Sequence, residues 1–250
     1  MCELPLISLV TVVYNGAEHL EQTIQSITNQ TYPNFEYVII DGGSTDRTLD
    51  IINQYQQHLT YWISEADSGI ADAMNKGIQQ TRGDYILFIH ADDKLIDSDV
   101  LSRAVQQFDD RHDIFAFSIQ YGSNPIPKIS RGFSFWINLK TGVFHQGAIC
   151  RRRLFDQIGC FDTRFKIAMD YDWFLRAYRI CASLKFCSGT ITHMGDNGVS
   201  SKTDRASLLR RLNEERLVHK KNCNSLFLKM LYKIYWLVYP PYKLNVANKA

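Results

Sequence analysis

Two adjacent aspartates end an apolar stretch, and their function depends on the positive charge that they face. The stretch is YILFIHADDK, residues 85–94, in which Asp92 and Asp93 follow His90. Neighbouring carboxylates repel each other, so a chain tolerates them either in open water or around a cation. The pair therefore indicates either a solvated turn or a cation-binding site, and the surrounding elements must distinguish the two.

Other polar side chains stand at the ends of predicted strands. Tyr14 follows the first strand, Asp41 ends the second and Asp67 follows the third, while Asp92 and Asp93 follow the fourth. Ligands of parallel α/β sheets collect at the carboxyl ends of the strands. We therefore expect these side chains to share one edge of a sheet and to form a ligand site there.

The first hundred residues alternate between short β-rich runs and longer segments of helical periodicity. The runs LISLVTVVY, FEYVIID, TYWISE and DYILFIH predict strands, and helices are predicted over 17–30, 45–57, 70–81 and 98–108. Continuous Val, Ile and Leu strands separated by helices indicate an α/β fold, in which a mostly parallel central sheet is flanked by helices on both faces. A dinucleotide-binding fold is the weaker interpretation, because GxGxxG is absent after the first strand.

The segment DGGSTD, residues 41–46, has two interpretations. Its glycines permit a tight turn, and Ser44 or Thr45 is suited to cap the next helix, so a well-made turn explains most of it. Asp41, however, is a strand-end carboxylate placed to accept a hydrogen bond from a ligand.

A second acidic segment, MDYDWFLR, begins a predicted helix. The helix dipole favours an acid at this end, which accounts for one of Asp170 and Asp172 more comfortably than for both.

Farther on, the strand-like LKFCSGTITHMG contains His193, and a lone histidine is more often structural than a metal ligand. The segment DNGVSS then predicts a turn, and 203–222 a charged amphipathic helix. The middle, 114–149, is irregular, with GSNPIPKISRGFSFW expected to be a loop.

Composition limits the class of protein. The chain has 250 residues, 45% hydrophobic residues and a formal net charge of +2, enough for one α/β domain with an appendage. Its six cysteines form no CxxC pair, which favours reduced thiols over a disulfide framework or a zinc ribbon. The N-terminal apolar run is too short for a signal peptide, and no apolar segment has the length of a membrane span.

Charge is unevenly distributed. Residues 201–250 contain eleven Lys and Arg against three Asp and Glu, a surplus of +8, which leaves residues 1–200 at −6. This asymmetry indicates an anionic surface as partner, and SLFLKMLYKIYWLVYPPYK, residues 225–243, favours a lipid surface over nucleic acid because aromatic and aliphatic residues alternate with lysines. The run is expected to stop at Pro240. A terminal helix packed on the domain is the alternative. We predict a domain over 1–200 and a basic amphipathic helical tail over 201–250.

Several motifs in order resemble the family 2 glycosyltransferases, inverting enzymes of the GT-A fold, a Rossmann-like nucleotide-diphospho-sugar transferase fold. They are SLVTVVYN, VIIDGGSTDRT, SEADSGIADAMNKGI, GDYILFIHADD, HQGAICRR with GCFD, and MDYDWFLR, and they span about residues 6–200. The sequence EADSGIADAMNKGI is similar to the corresponding segment of bacterial enzymes of colanic acid, capsule and O-antigen assembly.

The resemblance implies roles for individual residues. Asp92 matches the metal-binding acid of the family's DxD motif, and Asp170 matches its proposed general base. His90 stands where the family commonly has Asp, and Met169 where it commonly has Glu; His90 or His193 is a further candidate ligand for Mn²⁺. The implied nucleotide and donor residues are Thr11, Tyr14, Asp41 (to the uracil ring), Asp67, Gly69, Asn75 and Asp93.

The resemblance also implies the reaction and its partners. A Mg²⁺- or Mn²⁺-assisted enzyme would move a hexose from a nucleotide-diphosphate donor, a UDP-sugar above all, to a hydroxyl of a polyprenyl-linked or oligosaccharide acceptor. The polyprenyl-linked acceptor follows if the tail lies on a lipid surface. The protein would then work in the cytoplasm, peripherally on the cytoplasmic face of the inner membrane, in surface polysaccharide assembly. A non-catalytic sugar-nucleotide-binding relative and a nucleotidyltransferase are the alternatives. The nucleotidyltransferase is disfavoured because YNGAEHLEQ lacks its glycine-rich basic loop.

Overall fold

The computed structural model describes residues 4–195 and 204–247. The strands are β1 (Ile7–Val13), β2 (Phe35–Asp41), β3 (Tyr61–Ser64), β4 (Tyr85–Phe88), β5 (Lys94–Leu95), β6 (Ile114–Tyr121), β7 (Asn124–Lys128), β8 (Ala148–Arg151) and β9 (Leu184–Met194). The helices are α1 (Leu20–Thr28), α2 (Thr48–Tyr55), α3 (Ile70–Gln80), α4 (Val100–Val105), α5 (Arg152–Ile158), α6 (Met169–Arg179), α7 (Arg205–Lys221) and α8 (Leu226–Ala247). Short 3₁₀ helices cover Gln56–His58, Phe135–Asn138 and His145–Gly147.

The strands form one twisted sheet in the order β3-β2-β1-β4-β8-β6-β9-β5, with β7 paired to β6. Strands β1 to β4 are mutually parallel where they pair, and β6 is parallel to β9. Within the described residues only β5, β7 and β8 run in the opposite direction. The predicted α/β architecture with a mostly parallel sheet is therefore confirmed.

Alternation along each strand divides the core into two layers. Val10 and Val12 of β1 point into the layer covered by α3, α5 and α6, whereas Leu9 and Val13 point into the layer covered by α1, α2 and α4. Every residue of β1 is buried because helices cover both faces of the sheet. The parallel register then places the carboxyl ends of β1, β2 and β3 side by side, with Val13 opposite Asp41 and Asp41 opposite Ser64.

Two predictions of secondary structure were wrong. Residues 124–128, expected to lie in a loop, form β7, and their prolines fit because this strand pairs only at one edge. The C-terminal helix does not stop at Pro240 and Pro241 but continues to Ala247. Proline's fixed φ lies in the helical range, so the ring removes a donor without excluding helical backbone.

Helices α7 and α8 pack on the sheet domain through a buried polar chain. The Trp236 indole donates to His219 Nδ1 (2.9 Å), and His219 Nε2 lies 2.8 Å from the Tyr171 hydroxyl of α6. That hydroxyl donates to the Ile137 carbonyl (2.8 Å), and the Tyr232 ring stacks on the His219 ring. The predicted domain boundary at residue 200 and the predicted DNGVSS turn lie outside the described residues.

Candidate functional site

A cavity of about 750 Å³ opens where the carboxyl ends of β1 and β4 meet α3 and α6. Its wall combines apolar and polar side chains. The polar lining consists of Tyr14, Asn15, Glu18, His19, Asp67, His90, Asp92, His145, Gln146, Lys166 and Asp170. The structure thus gathers residues that are far apart in the sequence at the edge where a parallel sheet binds its ligands.

The residues predicted at the first two strand ends divide between the cavity and the core. Tyr14 lines the cavity and is 65% exposed. Thr11 is fully buried, and its hydroxyl lies 3.0 Å from the Tyr37 hydroxyl. Asp41 is also fully buried: its carboxylate accepts hydrogen bonds from the backbone N–H of Ser44 and the hydroxyls of Ser44 and Ser64, at 2.9, 2.5 and 2.6 Å. In this structure Asp41 therefore fixes the turn after β2.

The residues predicted around β3 and α3 also separate into two groups. Asp67 and Gly69 line the cavity, and Asp67 Oδ1 accepts the Gly69 N–H at 2.7 Å. Gly69 has a φ of 115° at the start of α3, which favours glycine. The Asn75 amide instead holds the Phe161 backbone, donating to its carbonyl at 2.8 Å and accepting its N–H at 2.9 Å. Asn75 thus ties α3 to the segment that leads into α6.

The two aspartates of the opening motif have different environments. Asp92 lines the cavity, whereas Asp93 is 1% exposed and accepts hydrogen bonds from the backbone N–H of His90 and of Gly195, each at 3.2 Å. Burial, and then the neighbouring Asp92 charge, raises the pKa of Asp93 to about 7. Of the two, Asp92 is the carboxylate available to a ligand.

A line of three side chains crosses the cavity wall from β4 to α6. His90 Nε2 lies 2.7 Å from His145 Nε2, and His145 Nδ1 lies 3.5 Å from Asp170 Oδ2. The His90 ring is buried, and this burial lowers its pKa well below 6.5. His90 is therefore neutral at physiological pH.

The start of α6 is fixed by a carboxylate from α7. Glu214 accepts the backbone N–H groups of Lys166, Ile167 and Ala168 at 3.0, 2.8 and 2.9 Å. These groups precede the first turn of α6, which carries Asp170. Helix α7 thus sets the position of the segment that presents Asp170 to the cavity.

The second acid of α6, Asp172, lies in a buried ion-pair network. It is fully buried and accepts hydrogen bonds from Arg176 (2.9 Å), Lys221 (2.8 Å) and Asn222 (2.9 Å). Two cations and an amide around one carboxylate satisfy its charge, so Asp172 joins α6 to the end of α7.

His193 lies on the far side of Asp92. It lines a second cavity of about 170 Å³ together with Asp92, Asp93 and Lys94. Pairing of β5 with β9 places it opposite Lys94, and its Nε2 lies 3.0 Å from the Gly122 carbonyl.

The residues present fit a divalent cation that is bound together with a diphosphate. Within 4–195 and 204–247, no group of three or more His, Cys, Asp and Glu side chains forms an all-protein metal cage. Mg²⁺ and Mn²⁺ do not need one, since one or two carboxylates plus phosphate oxygens suffice. Space for that carboxylate is preserved by Gly195, where a Cβ would lie 2.8 Å from Asp92 Oδ2.

Some lining residues were not among the predicted site residues. His145 and Gln146 belong to the HQGAICRR motif, so the motif itself was the available signal. Lys166 had no sequence signal: it reaches the cavity because its backbone lies beside α6, and its ammonium donates to the Ser68 carbonyl.

The sequence matches a model of a known protein family and is similar to curated proteins. The family model described as "Glycosyl transferase family 2" matches residues 8–172. The chain is 34% identical over 186 residues to the "PGL/p-HBAD biosynthesis glycosyltransferase" of Mycobacterium bovis, with 70% of each chain covered.

Solved structures agree with the fold. The structure of S. aureus TarS 1-349 in complex with UDP-GlcNAc has a TM-score of 0.65 and 19% identity, and the match covers 87% of this chain and 71% of that one. The mannosyltransferase PcManGT from Pyrobaculum calidifontis, in complex with GDP-Man and Mn²⁺, has a TM-score of 0.70 and 18% identity, with 99% and 74% covered. The fold class predicted from the sequence is confirmed.

Proposed function

Because the chain belongs to glycosyl transferase family 2, as its motifs predicted, we propose that it transfers a hexose-type sugar from a nucleotide-diphosphate donor to an acceptor hydroxyl, with inversion at the anomeric carbon. The observation that carries the proposal is that Asp92 and Asp170, which come from different elements, line the same cavity. One carboxylate for the cation of a diphosphate and one for the acceptor proton are the groups that this transfer requires.

Asp170 is the proposed general base. It removes the proton of the acceptor hydroxyl as the oxygen attacks the anomeric carbon, and the nucleoside diphosphate leaves from the opposite face. An α-linked donor then yields a β-glycoside without a covalent intermediate. Asp170 suits this role because its carboxyl faces the cavity from the first turn of α6, on a segment that Glu214 holds in place.

Asp92 is the residue proposed to hold Mg²⁺ or Mn²⁺. When bound, the cation neutralises charge on the leaving diphosphate. Asp93 stabilises the turn that carries Asp92, because its carboxylate accepts hydrogen bonds from the backbone N–H groups of His90 and Gly195. His90 and His193 stay secondary candidates, since their ring nitrogens contact His145 and the Gly122 carbonyl.

The donor is proposed to lie along the β1 and α3 side of the cavity. Tyr14, Asp67 and Gly69 are exposed to it there. Thr11 and Asn75 are proposed to act indirectly, because their side-chain hydrogen bonds hold β1 and α3 in place. A hydrogen bond from Asp41 to a uracil ring stays a prediction. A UDP-sugar is the proposed donor, and TarS bound to UDP-GlcNAc supports it, while PcManGT bound to GDP-Man makes GDP-sugars the competing class.

We further propose that the protein acts in cell-surface glycan or glycolipid assembly, in the cytoplasm and peripherally on the inner membrane. The name of the M. bovis relative supports a glycoconjugate product. Within the described residues, no helix is long and apolar enough to cross a bilayer. A polyprenyl-linked acceptor is proposed because the C-terminal helix has the surface of an interfacial helix.

That surface is one face of α8. Its outward apolar residues recur every three or four positions, while the opposite face packs on α7 through Leu228 and Tyr232. Phe135 and Trp136 extend the patch, because the Phe135 ring lies 6.1 Å from the Phe227 ring. The exposed residues of this α8 face are Leu226, Phe227, Met230, Ile234, Leu237, Val238 and Tyr242. Lysines at 229, 233 and 243 give the helix the charge that anionic lipids attract.

The first test is a thermal-shift screen of UDP, GDP, dTDP and CMP, each with Mn²⁺, Mg²⁺ or a chelator, on wild type and Asp92→Ala. A ligand at 100 times its dissociation constant adds about 2.7 kcal/mol of apparent stability, so binding is measurable. Metal-dependent stabilisation by one nucleotide that is lost in Asp92→Ala supports the proposal and identifies the donor class. Release of nucleoside diphosphate from sugar donors of that class then tests turnover. Nucleotide binding without turnover on any donor or acceptor would favour the non-catalytic alternative.

A further inference from the structure

His90 and His145 form a pair of rings between the end of β4 and the base on α6. Their centroids are 4.8 Å apart with an interplanar angle of 66°, and their Nε2 atoms are 2.7 Å apart. The side chains of His145 and Asp170 are 14% and 20% exposed, so solvent only partly competes for the contact between them. The pair therefore links a strand of the sheet to the proposed base.

Hydrogen-bond accounting assigns the protons along this line. A carboxylate only accepts, so the 3.5 Å contact between His145 Nδ1 and Asp170 Oδ2 is attractive when Nδ1 carries the hydrogen of the ring. In a neutral ring His145 Nε2 is then bare and accepts from His90 Nε2–H. This leaves His90 Nδ1 bare, and that nitrogen is a buried atom without a partner in the described part of the chain.

The reverse assignment is less favourable. If His145 Nε2 donated to His90, the hydrogen of neutral His90 would move to Nδ1, where a buried N–H would have no acceptor among the described groups. The arrangement that satisfies most groups is therefore His90 Nε2–H to His145 Nε2, and His145 Nδ1–H to Asp170.

We propose that His145, oriented by His90, is a positioning residue that holds the Asp170 carboxylate in the direction of the acceptor hydroxyl. The inference rests on the proposed function, because it acts through Asp170 as base. Asp170 Oδ1 accepts the backbone N–H of Tyr171 at 2.7 Å, so the His145 contact fixes the second oxygen and with it the plane of the carboxylate. The histidine at position 90 then serves the base, whereas Asp92 serves the diphosphate.

Two isosteric substitutions separate the two nitrogens of His145. The amide nitrogen of asparagine can replace Nδ1, and that of glutamine can replace Nε2. We expect His145→Gln, which loses the donor to Asp170, to lower kcat about 10- to 100-fold with donor KM within about twofold, since small misplacements of a reacting group have effects of this size. We expect His145→Asn to retain most of the turnover. His112→Asn, in a histidine that pairs with Asp109 away from the cavity, is the control.

A double-mutant cycle tests whether His145 acts through Asp170. In the Asp170→Asn background, His145→Gln is expected to lower the residual turnover less than about twofold. Turnover is measured as release of UDP from UDP-GlcNAc and UDP-glucose and of GDP from GDP-mannose, with thermal unfolding of each variant. Independently of activity, ¹⁵N NMR of the histidine rings is expected to show His145 protonated at Nδ1 and to change at that ring in Asp170→Asn.

The outcomes distinguish the two levels of proposal. Full turnover in Asp170→Asn would refute the base and this inference together. Loss of turnover in Asp170→Asn with unaffected His145→Gln overturns this inference alone. Equal losses in His145→Asn and His145→Gln, with equal falls in thermal stability, would assign the ring a packing role and also overturn it, as would additivity with Asp170→Asn.

Discussion

Asp170 and Asp172 lie two residues apart on α6, yet one carboxylate faces the cavity and the other is fully buried beneath α7. A helix turns by about 100° per residue, so positions two apart point in nearly opposite directions. The two acids of one motif therefore have separable functions.

Isosteric amides at these positions are expected to have opposite effects. Asp170→Asn removes the proposed base and should lower turnover about 10²- to 10⁴-fold, with nucleotide affinity and stability nearly unchanged. Asp172→Asn leaves Arg176 and Lys221 without their shared anion and should lower the free energy of unfolding by about 3 kcal/mol. Steady-state kinetics, nucleotide titration and urea unfolding of the two variants measure the difference. An equal loss of nucleotide binding in Asp170→Asn would contradict the assignment.

Glu214 is expected to affect turnover from outside the cavity. Glu214→Gln removes one of the oxygens that accept the N–H groups before α6, so the segment carrying Asp170 should loosen. We expect kcat to fall about tenfold and stability by about 1 to 3 kcal/mol, the range for a hydrogen bond to a charged group. Glu21→Gln on α1, where a hydroxyl of Tyr55 donates to the carboxylate, is the matched control. Unchanged kcat in Glu214→Gln would show that this contact serves folding alone.

Metal dependence is expected to follow Asp92. Asp92→Asn should abolish the extra thermal stabilisation that Mn²⁺ gives to the nucleotide complex, because a neutral amide is a far weaker ligand for a hard cation. The control is Asp50→Asn, an exposed acid on α2. A chelator should affect wild type and leave Asp92→Asn unchanged. Mn²⁺-dependent stabilisation that survives in Asp92→Asn would show that groups other than Asp92 bind the metal.

The α8 face is expected to bind anionic lipid. Leu237→Glu, at an apolar position of α8 that is 76% exposed, should abolish sedimentation with vesicles that contain phosphatidylglycerol and leave turnover on water-soluble acceptors intact. Ile126→Glu, equally exposed on β7, is the control. Binding should weaken with salt because lysines contribute to it. Undiminished sedimentation of Leu237→Glu would assign the face to a different partner.

The sequence predicted the strand-and-helix order of the first hundred residues and the position of Asp92 at the sheet edge, because continuous apolar strands and strand-end acids follow local rules. Asp170 was assigned to the same site only through the resemblance to the family. It could not distinguish a cavity-facing side chain from a buried one. Asp41 and Asn75 are polar residues at the right elements, yet their partners, such as Ser64 and the Phe161 backbone, lie far along the chain. Lys166 reaches the cavity only through tertiary packing, which no local pattern encodes.

His219 should make the attachment of α7 and α8 sensitive to acid. Its Nδ1 accepts from the Trp236 indole, and burial lowers the pKa of His219 from 6.5 to about 4. Between about pH 6.5 and 4 the unfolded chain therefore binds a proton at this ring, whereas the folded chain does not. The contribution of His219 to the free energy of unfolding is full above this window and falls as the pH drops through it, by up to about 3 kcal/mol.

The measurement is urea unfolding of wild type and His219→Gln from pH 7.5 to 4.5. His219→Gln should be less stable at pH 7.5, because it loses ring stacking on Tyr232, and the gap between the two proteins should narrow as the pH falls, because only wild type loses the His219 contribution. Other titrating groups, such as Glu215 with its raised pKa, are present in both proteins and cancel in the difference. A gap that stays constant over this range would mean that His219 is protonated equally in the folded and unfolded states.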